Sequence, residues 1–112
     1  MNYDVIIIGA GPGGIFTAYE LTKLEPTLKV AVFEAGQPLS KRKCPIDGSR
    51  ITSCVNCQSC SIMSGFGGAG AFSDGKYNIT NDFGGTLHEY IGKQQALSLM
   101  KYVDELDRKS VV

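Results

Sequence analysis

The chain carries the sequence VIIIGAGPGG at residues 5–14, in which four apolar residues run directly into a glycine-rich turn. A continuous β-branched run of this kind predicts a strand that is buried on both faces. Apolar residues at near-helical spacing follow from Ile15 to Leu24, and Pro12 suits the first turn of this helix. A second apolar run at residues 30–33 completes a predicted strand–helix–strand unit.

The turn has the spacing G-x-G-x-x-G at Gly9, Gly11 and Gly14. This spacing is weak evidence alone, but here it lies between a predicted strand and a predicted helix. Gly9 permits the tight turn, Gly11 lets the backbone approach a pyrophosphate, and Gly14 lets the helix pack closely on the strand. We expect Pro12 and Gly13 to line the same site, where the helix N-terminus offers N–H groups to phosphate. The pattern predicts an α/β, Rossmann-like FAD/NAD(P)-binding fold.

An acidic residue stands at the end of the second predicted strand. Glu34 lies 20 residues after Gly14, where a carboxylate can accept hydrogen bonds from both hydroxyls of an adenosine ribose. The same charge would repel a 2′-phosphate, which argues against NADP at this site. We expect Glu34 and the neighbouring Ala35 to contact the cofactor. These residues indicate a dinucleotide but do not distinguish FAD from NAD.

A second glycine-rich segment, SGFGGAGAFSDGK, occupies residues 64–76. Its small residues would let backbone amides approach a flat ring or a phosphate without steric obstruction. We expect Gly67, Gly68 and Ala69 to lie nearest the cofactor. Asp74 or Lys76 could tune the electronic properties of that cofactor, and the sequence does not choose between them.

The choice of FAD comes from resemblance. Residues 3–14 resemble the N-terminus of flavoproteins with two dinucleotide-binding domains, the class that includes glutathione reductase. Residues 64–76 resemble a loop that touches the flavin ring in several FAD-dependent oxidoreductases. Together with the cysteines, residues 2–106 resemble a group of largely uncharacterised bacterial FAD-dependent dehydrogenases. The resemblance implies FAD as cofactor and leaves NAD(P)H open as the electron donor.

All four cysteines lie in or beside a predicted long loop at residues 36–61, with the spacing Cys54-x-x-Cys57-x-x-Cys60 and with Cys44 upstream. Thiolates at this spacing can converge on zinc or on an iron–sulfur cluster, although the usual fourth cysteine three residues later is missing. A redox pair such as Cys57 and Cys60, or simply free thiols, are the alternatives. The neighbouring residues 41–43, Lys-Arg-Lys, are predicted to be solvated, with Arg42 reaching a cofactor phosphate as the less favoured interpretation.

The net charge and hydropathy of the chain limit the kinds of partner that we expect it to bind. Eleven basic and eleven acidic residues give a net charge of zero, so nothing favours nucleic acid or an anionic membrane surface. No apolar run approaches the ~20 residues of a membrane span, and a cytoplasmic location is the default expectation. Beyond the second glycine segment we expect a short strand at residues 77–80. A helix broken at Gly92 should follow, with an apolar stripe at Leu97, Met100, Val103 and Leu106.

The predicted elements supply only the first strands of a parallel sheet. We therefore expect residues 1–106 to be the N-terminal part of an FAD-binding domain, with the remaining strands and the catalytic residues beyond residue 112. Residues 107–112 break the apolar stripe and are expected to be a non-native tail. The resulting interpretation is the N-terminal portion of an FAD-dependent oxidoreductase of unknown small-molecule substrate and oligomeric state. The alternatives are an NAD-dependent dehydrogenase and a non-catalytic cofactor- or metal-binding module.

Overall fold

The computed structural model describes residues 2–82 and 84–110. They divide into two compact units, Met1–Asp74 and Gly75–Val112. The first unit contains both glycine-rich segments up to Asp74, and all four cysteines, so it holds the candidate site.

The first unit begins with the predicted strand–helix–strand unit. Strand β1 (Val5–Ile8) is followed by helix α1 (Pro12–Leu24) and strand β2 (Val30–Phe33). The two strands pair in parallel, with Val5 opposite Val30 and Ile8 opposite Phe33. The Gly9 N–H donates to the Phe33 carbonyl at 2.7 Å, so the pairing continues into the glycine turn. The sequence predicted these three elements correctly, and they form a small, partial Rossmann-like unit.

The expectation that β1 is buried on both faces is not met within the described residues. Ile6 is 58% exposed and Ile8 is 81% exposed, whereas Val5 and Ile7 are half-buried. Helix α1 packs against both strands, and within the first unit no second helix or sheet covers the opposite face. The alternating exposure is what a sheet with one covered face produces.

The long connection after β2 is largely irregular, as predicted, with short 3₁₀ turns at Leu39–Lys41 and Ala69–Phe72. Within it, the Oδ1 atom of Asp47 accepts three hydrogen bonds of 2.8–2.9 Å, from the N–H groups of Ser49, Arg50 and Ile51. These donors, led by Ile51, lower the pKa of Asp47 to about 2. The Asp47 carboxylate therefore fixes the turn between Cys44 and the other three cysteines.

The second unit contains helices α2 (Leu87–Ile91) and α3 (Lys93–Ser110), separated by Gly92 at φ +82°. The break at Gly92 is confirmed, and the stripe residues Leu97, Met100, Val103 and Leu106 are half-buried. The strand expected at residues 77–80 is wrong, because no neighbouring strand among the described residues offers it a partner. Part of the expected non-native tail lies within α3, and its last two residues, 111 and 112, lie outside the described residues.

No helix within residues 2–82 and 84–110 combines the length and the apolar character that a membrane crossing requires.

Candidate functional site

The first glycine turn adopts the backbone geometry that only glycine accommodates well. Gly9 has φ +98°, in the left-handed region where side chains are strained. A Cβ built on Gly14 would overlap the carbonyl oxygen of Gly9 and would lie 3.3 Å from Cγ2 of Ile7. A side chain at Gly14 would therefore push α1 away from β1. The turn and the close helix–strand packing that the spacing predicts are both present.

The N-terminus of α1 has no side-chain cap. Gly11 is the N-cap and supplies no side-chain cap, and Pro12 has no N–H to satisfy. The first helical hydrogen bond runs from the Ile15 N–H to the Gly11 carbonyl at 3.0 Å. The N–H groups of Gly13 and Gly14 precede that bond and lie at the positive end of the helix dipole. This arrangement is suited to an anionic ligand.

Glu34 joins the first turn to the chain that leaves β2. Its Oε2 accepts a 2.7 Å hydrogen bond from the Ala10 N–H, and its Oε1 accepts a 2.8 Å bond from the Gly36 N–H. Each carboxylate oxygen has a further lone pair, so these bonds leave acceptor capacity for ribose hydroxyls. Glu34 is half-buried, and the adjoining Ala35 is exposed. The ribose contact of Glu34 and Ala35 stays a prediction.

The same hydrogen bonds keep Glu34 ionised. The N–H groups of Ala10 and Gly36 lower the pKa of its carboxyl from the ordinary value of 4.5. The Gly65 N–H and the Arg42 charge contribute smaller effects in the same direction. A carboxylate held in this way presents acceptor lone pairs, and repulsion of a 2′-phosphate, throughout the neutral pH range.

Glu34→Gln is expected to weaken the first unit in a pH-dependent way. A lowered folded-state pKa stabilises the fold above pH 4.5, and this stabilisation is lost as the pH falls through the folded-state value. The urea midpoint of Glu34→Gln should therefore lie below wild type at neutral pH and approach it in acid. Glu25→Gln, at an exposed position of the same unit, is the matched control. A constant difference at every pH would contradict the role of the charge.

The second glycine segment closes directly onto the first turn. The Gly67 N–H donates to the Ala10 carbonyl at 2.8 Å. Gly68 has φ +58°, and a Cβ built on it would lie 3.1 Å from Cα of Gly11 and 3.2 Å from Cδ of Pro12. The structure thus brings the two glycine-rich segments together, although Gly13 and Gly67 are 54 residues apart in the sequence. Ala69 is exposed and begins the 3₁₀ turn that follows.

A second crossing of backbones holds the same segment beside the end of β2. The Phe66 N–H donates to the Gln37 carbonyl at 3.1 Å. A Cβ on Gly36 would lie 2.5 Å from Cα of Gly65, which itself has φ +125°. Both glycines are therefore required for these two segments of the chain to lie this close. The approach fixes the second glycine segment against the loop that follows Glu34.

Arg42 is the residue that organises this segment, and the prediction that it is solvated is wrong. Only 3% of Arg42 is exposed. Its guanidinium donates four hydrogen bonds of 2.6–2.8 Å to backbone carbonyls, which belong to Ser61, Ile62, Phe66 and Gly68. Its guanidinium carbon also lies 4.8 Å from the ring centroid of Phe72, in a cation–π contact.

This role could not be predicted from the sequence, because the acceptors lie 19–26 residues away and are all backbone atoms. A fork of five N–H donors matches several carbonyls that converge in a glycine-rich loop, whereas Lys41 and Lys43 on either side remain exposed. Arg42 therefore supports the loop from within. The minority interpretation, in which it reaches a cofactor phosphate, finds no support because its donors are committed to carbonyls.

The four cysteines line one pocket. Cys44, Cys54, Cys57 and Cys60 surround a cavity of about 230 Å³ together with Pro45, Ile46, Val55, Asn56 and Ser61. All four are free thiols. Among the described residues, no three Cys, His, Asp or Glu side chains are placed to share a single metal ion. The N–H groups of Met63 and Ile62, with the Arg42 charge, lower the pKa of Cys60 from its ordinary value of 9.0.

Two further candidates follow the second glycine segment. Asp74 ends the first unit, and Lys76 belongs to the second. A role for Asp74 or Lys76 in tuning a cofactor stays a prediction.

The similarity to known proteins is clearest in the part of the chain that contains the first glycine turn. Residues 1–40, which contain β1, α1 and β2, match the sequence profile of the Thi4 family. Thiamine thiazole synthases of Yarrowia lipolytica and Emericella nidulans are 58% and 56% identical over 33 and 32 residues, covering 30% and 29% of this chain and 10% of each enzyme. No solved structure is significantly similar.

An uncharacterized protein of Clostridium beijerinckii is 38% identical over 71 residues, which cover 63% of this chain and 13% of that protein. This match is longer than residues 1–40, so it extends beyond β2. The chain spans about a tenth of the length of these curated relatives.

Proposed function

We propose that the chain is the N-terminal portion of an FAD-dependent oxidoreductase and that the first unit binds FAD. The N–H groups at the start of α1 would hold the pyrophosphate, and Glu34 would accept hydrogen bonds from the adenosine ribose. The second glycine segment, with Gly67 and Gly68 leading, would lie along the flavin half of the cofactor.

One observation carries the proposal. The Gly67 N–H binds the Ala10 carbonyl at 2.8 Å, and Gly68 lies against Gly11 and Pro12. A cofactor whose pyrophosphate lies on the first turn must therefore run beside the second glycine segment. The strand–helix–strand unit alone would serve FAD or NAD equally, so the second segment is what favours the flavin nucleotide.

The similarity to thiamine thiazole synthases supports nucleotide binding rather than thiazole synthesis. It is confined to 32–33 residues, and the family match ends at residue 40, just after β2. Those residues contain the phosphate-binding turn and Glu34.

The absorption spectrum of the full-length protein tests this proposal. We expect flavin bands in the purified protein, and chromatography of the heat-released cofactor should identify FAD. Bound NAD without flavin would instead favour the NAD-dependent dehydrogenase. Bound FAD without turnover of NADH and an artificial electron acceptor would favour a binding module without catalysis.

A further inference from the structure

The cysteine pocket of the first unit is a separate feature from the two glycine segments. Its four thiols come from two stretches, Cys44 and residues 54–60, that the Asp47 turn folds together. The chain has four cysteines in all, and every one of them lines this cavity. Free thiols without a shared role would not need to line one common cavity.

A backbone N–H group points at one of the sulfur atoms. The Asn56 N–H donates to Sγ of Cys54 at 3.4 Å, and Asn56 holds φ +52° to do so. The Cys54 thiol donates in turn to Oδ1 of Asn56 at 3.7 Å, so this short turn sets the position of the Cys54 sulfur.

The grouping of the four thiols distinguishes the two kinds of metal site. In a tetrahedral zinc site with Zn–S bonds of about 2.3 Å, the sulfurs lie about 3.8 Å apart. No three cysteines in the described residues are grouped to share one ion, yet all four line a cavity of about 230 Å³. A group with several metal ions and bridging sulfides needs sulfurs that stand farther apart around a larger space.

We propose that this pocket binds a [4Fe–4S] cluster through Cys44, Cys54, Cys57 and Cys60. The spacing of residues 54–60 is the C-x₂-C-x₂-C of cluster-binding proteins, and Cys44 is followed by Pro45, as the remote ligand often is. Four thiolates give such a cluster negative charge. The buried Arg42, which binds the Ser61 and Ile62 carbonyls next to Cys60, supplies a compensating positive charge.

The proposal is tested on full-length protein purified without oxygen or reconstituted with iron and sulfide. We expect about four iron and four acid-labile sulfide ions per chain. We also expect a broad visible absorption that dithionite bleaches and an electron paramagnetic resonance signal in the reduced state. Single Cys→Ser substitutions at the four positions should each lower the cluster content severalfold. Ser59→Ala, within the same spacing and exposed, should leave it unchanged.

Two results would overturn the proposal: zinc bound at one ion per chain without sulfide, or protein that keeps four thiols and binds no metal. Circular dichroism of each variant separates loss of the cluster from loss of the fold. FAD is measured in the same samples, and we expect the cluster to bind whether or not FAD is present. Iron-free protein that retains FAD would refute the cluster alone, whereas cluster-loaded protein without FAD would refute the flavin proposal alone.

Discussion

Gly14→Ala should reduce FAD binding by roughly tenfold to a hundredfold and destabilise the first unit. The added Cβ would overlap the Gly9 carbonyl oxygen and lie 3.1 Å from the Gly9 carbonyl carbon. Both are backbone atoms that cannot rotate away, so α1 must shift from β1. Overpacking of this kind costs about 1–3 kcal/mol of unfolding free energy. A similar loss of binding free energy from the displaced Gly14 N–H would weaken FAD binding by roughly tenfold to a hundredfold. Urea unfolding and flavin fluorescence titration measure the two effects.

Gly13→Ala is the matched control, one residue earlier in the same helix. Nothing lies within 4 Å of a Cβ built there, and its φ is not in the left-handed region. Because alanine favours a helix over glycine by about 1 kcal/mol, this variant should unfold at the same or a higher urea concentration. If Gly14→Ala and Gly13→Ala unfolded at the same urea concentration, the close packing of α1 on β1 would not stabilise the first unit.

Arg42→Met should release the second glycine segment. Removing the guanidinium leaves four carbonyl acceptors without their hydrogen-bond donor. An unsatisfied buried polar group costs about 1–3 kcal/mol. Part of that cost is recovered when water enters, so we expect a loss of about 3 kcal/mol or more from the free energy of unfolding. Hydrogen exchange should show loss of protection at the Gly67 N–H, which binds Ala10.

The controls for Arg42 are its own neighbours. Lys41→Met and Lys43→Met change exposed residues and should alter stability by no more than about 0.5 kcal/mol. Arg42→Lys should give an intermediate loss, because an ammonium group has only three donors and lacks the planar fork. Equal tolerance of Met at all three positions would show that the guanidinium does not support the loop.

The sequence predicted those parts of the fold that depend on neighbouring residues. β1, the glycine turn, α1 and β2 follow from hydrophobic runs, glycine and proline within residues 5–33, and the break at Gly92 follows from one glycine in a helical stripe. The strand expected at residues 77–80 was wrong because a strand requires a hydrogen-bonding partner. Local propensity does not supply that partner.

Contacts between distant segments could not be predicted in the same way. The burial of Arg42 depends on carbonyls of a loop about twenty residues later, and lysines beside it in the sequence stay in solvent. The two glycine segments were each expected to approach a cofactor. Their direct contact through Gly67 and Gly68 appears only once the chain is folded. Cysteine spacing suggested a common site, but only the structure gives the size of the cavity.

A crystal structure of the full-length protein with FAD tests the central claim most directly. We expect the pyrophosphate within hydrogen-bond distance of the Gly13 and Gly14 N–H groups, and the adenosine ribose hydroxyls on the Glu34 carboxylate. The flavin should lie beside Gly67 and Gly68. FAD bound elsewhere, with an empty turn and with Glu34 bound only to the Ala10 and Gly36 N–H groups, would contradict the account.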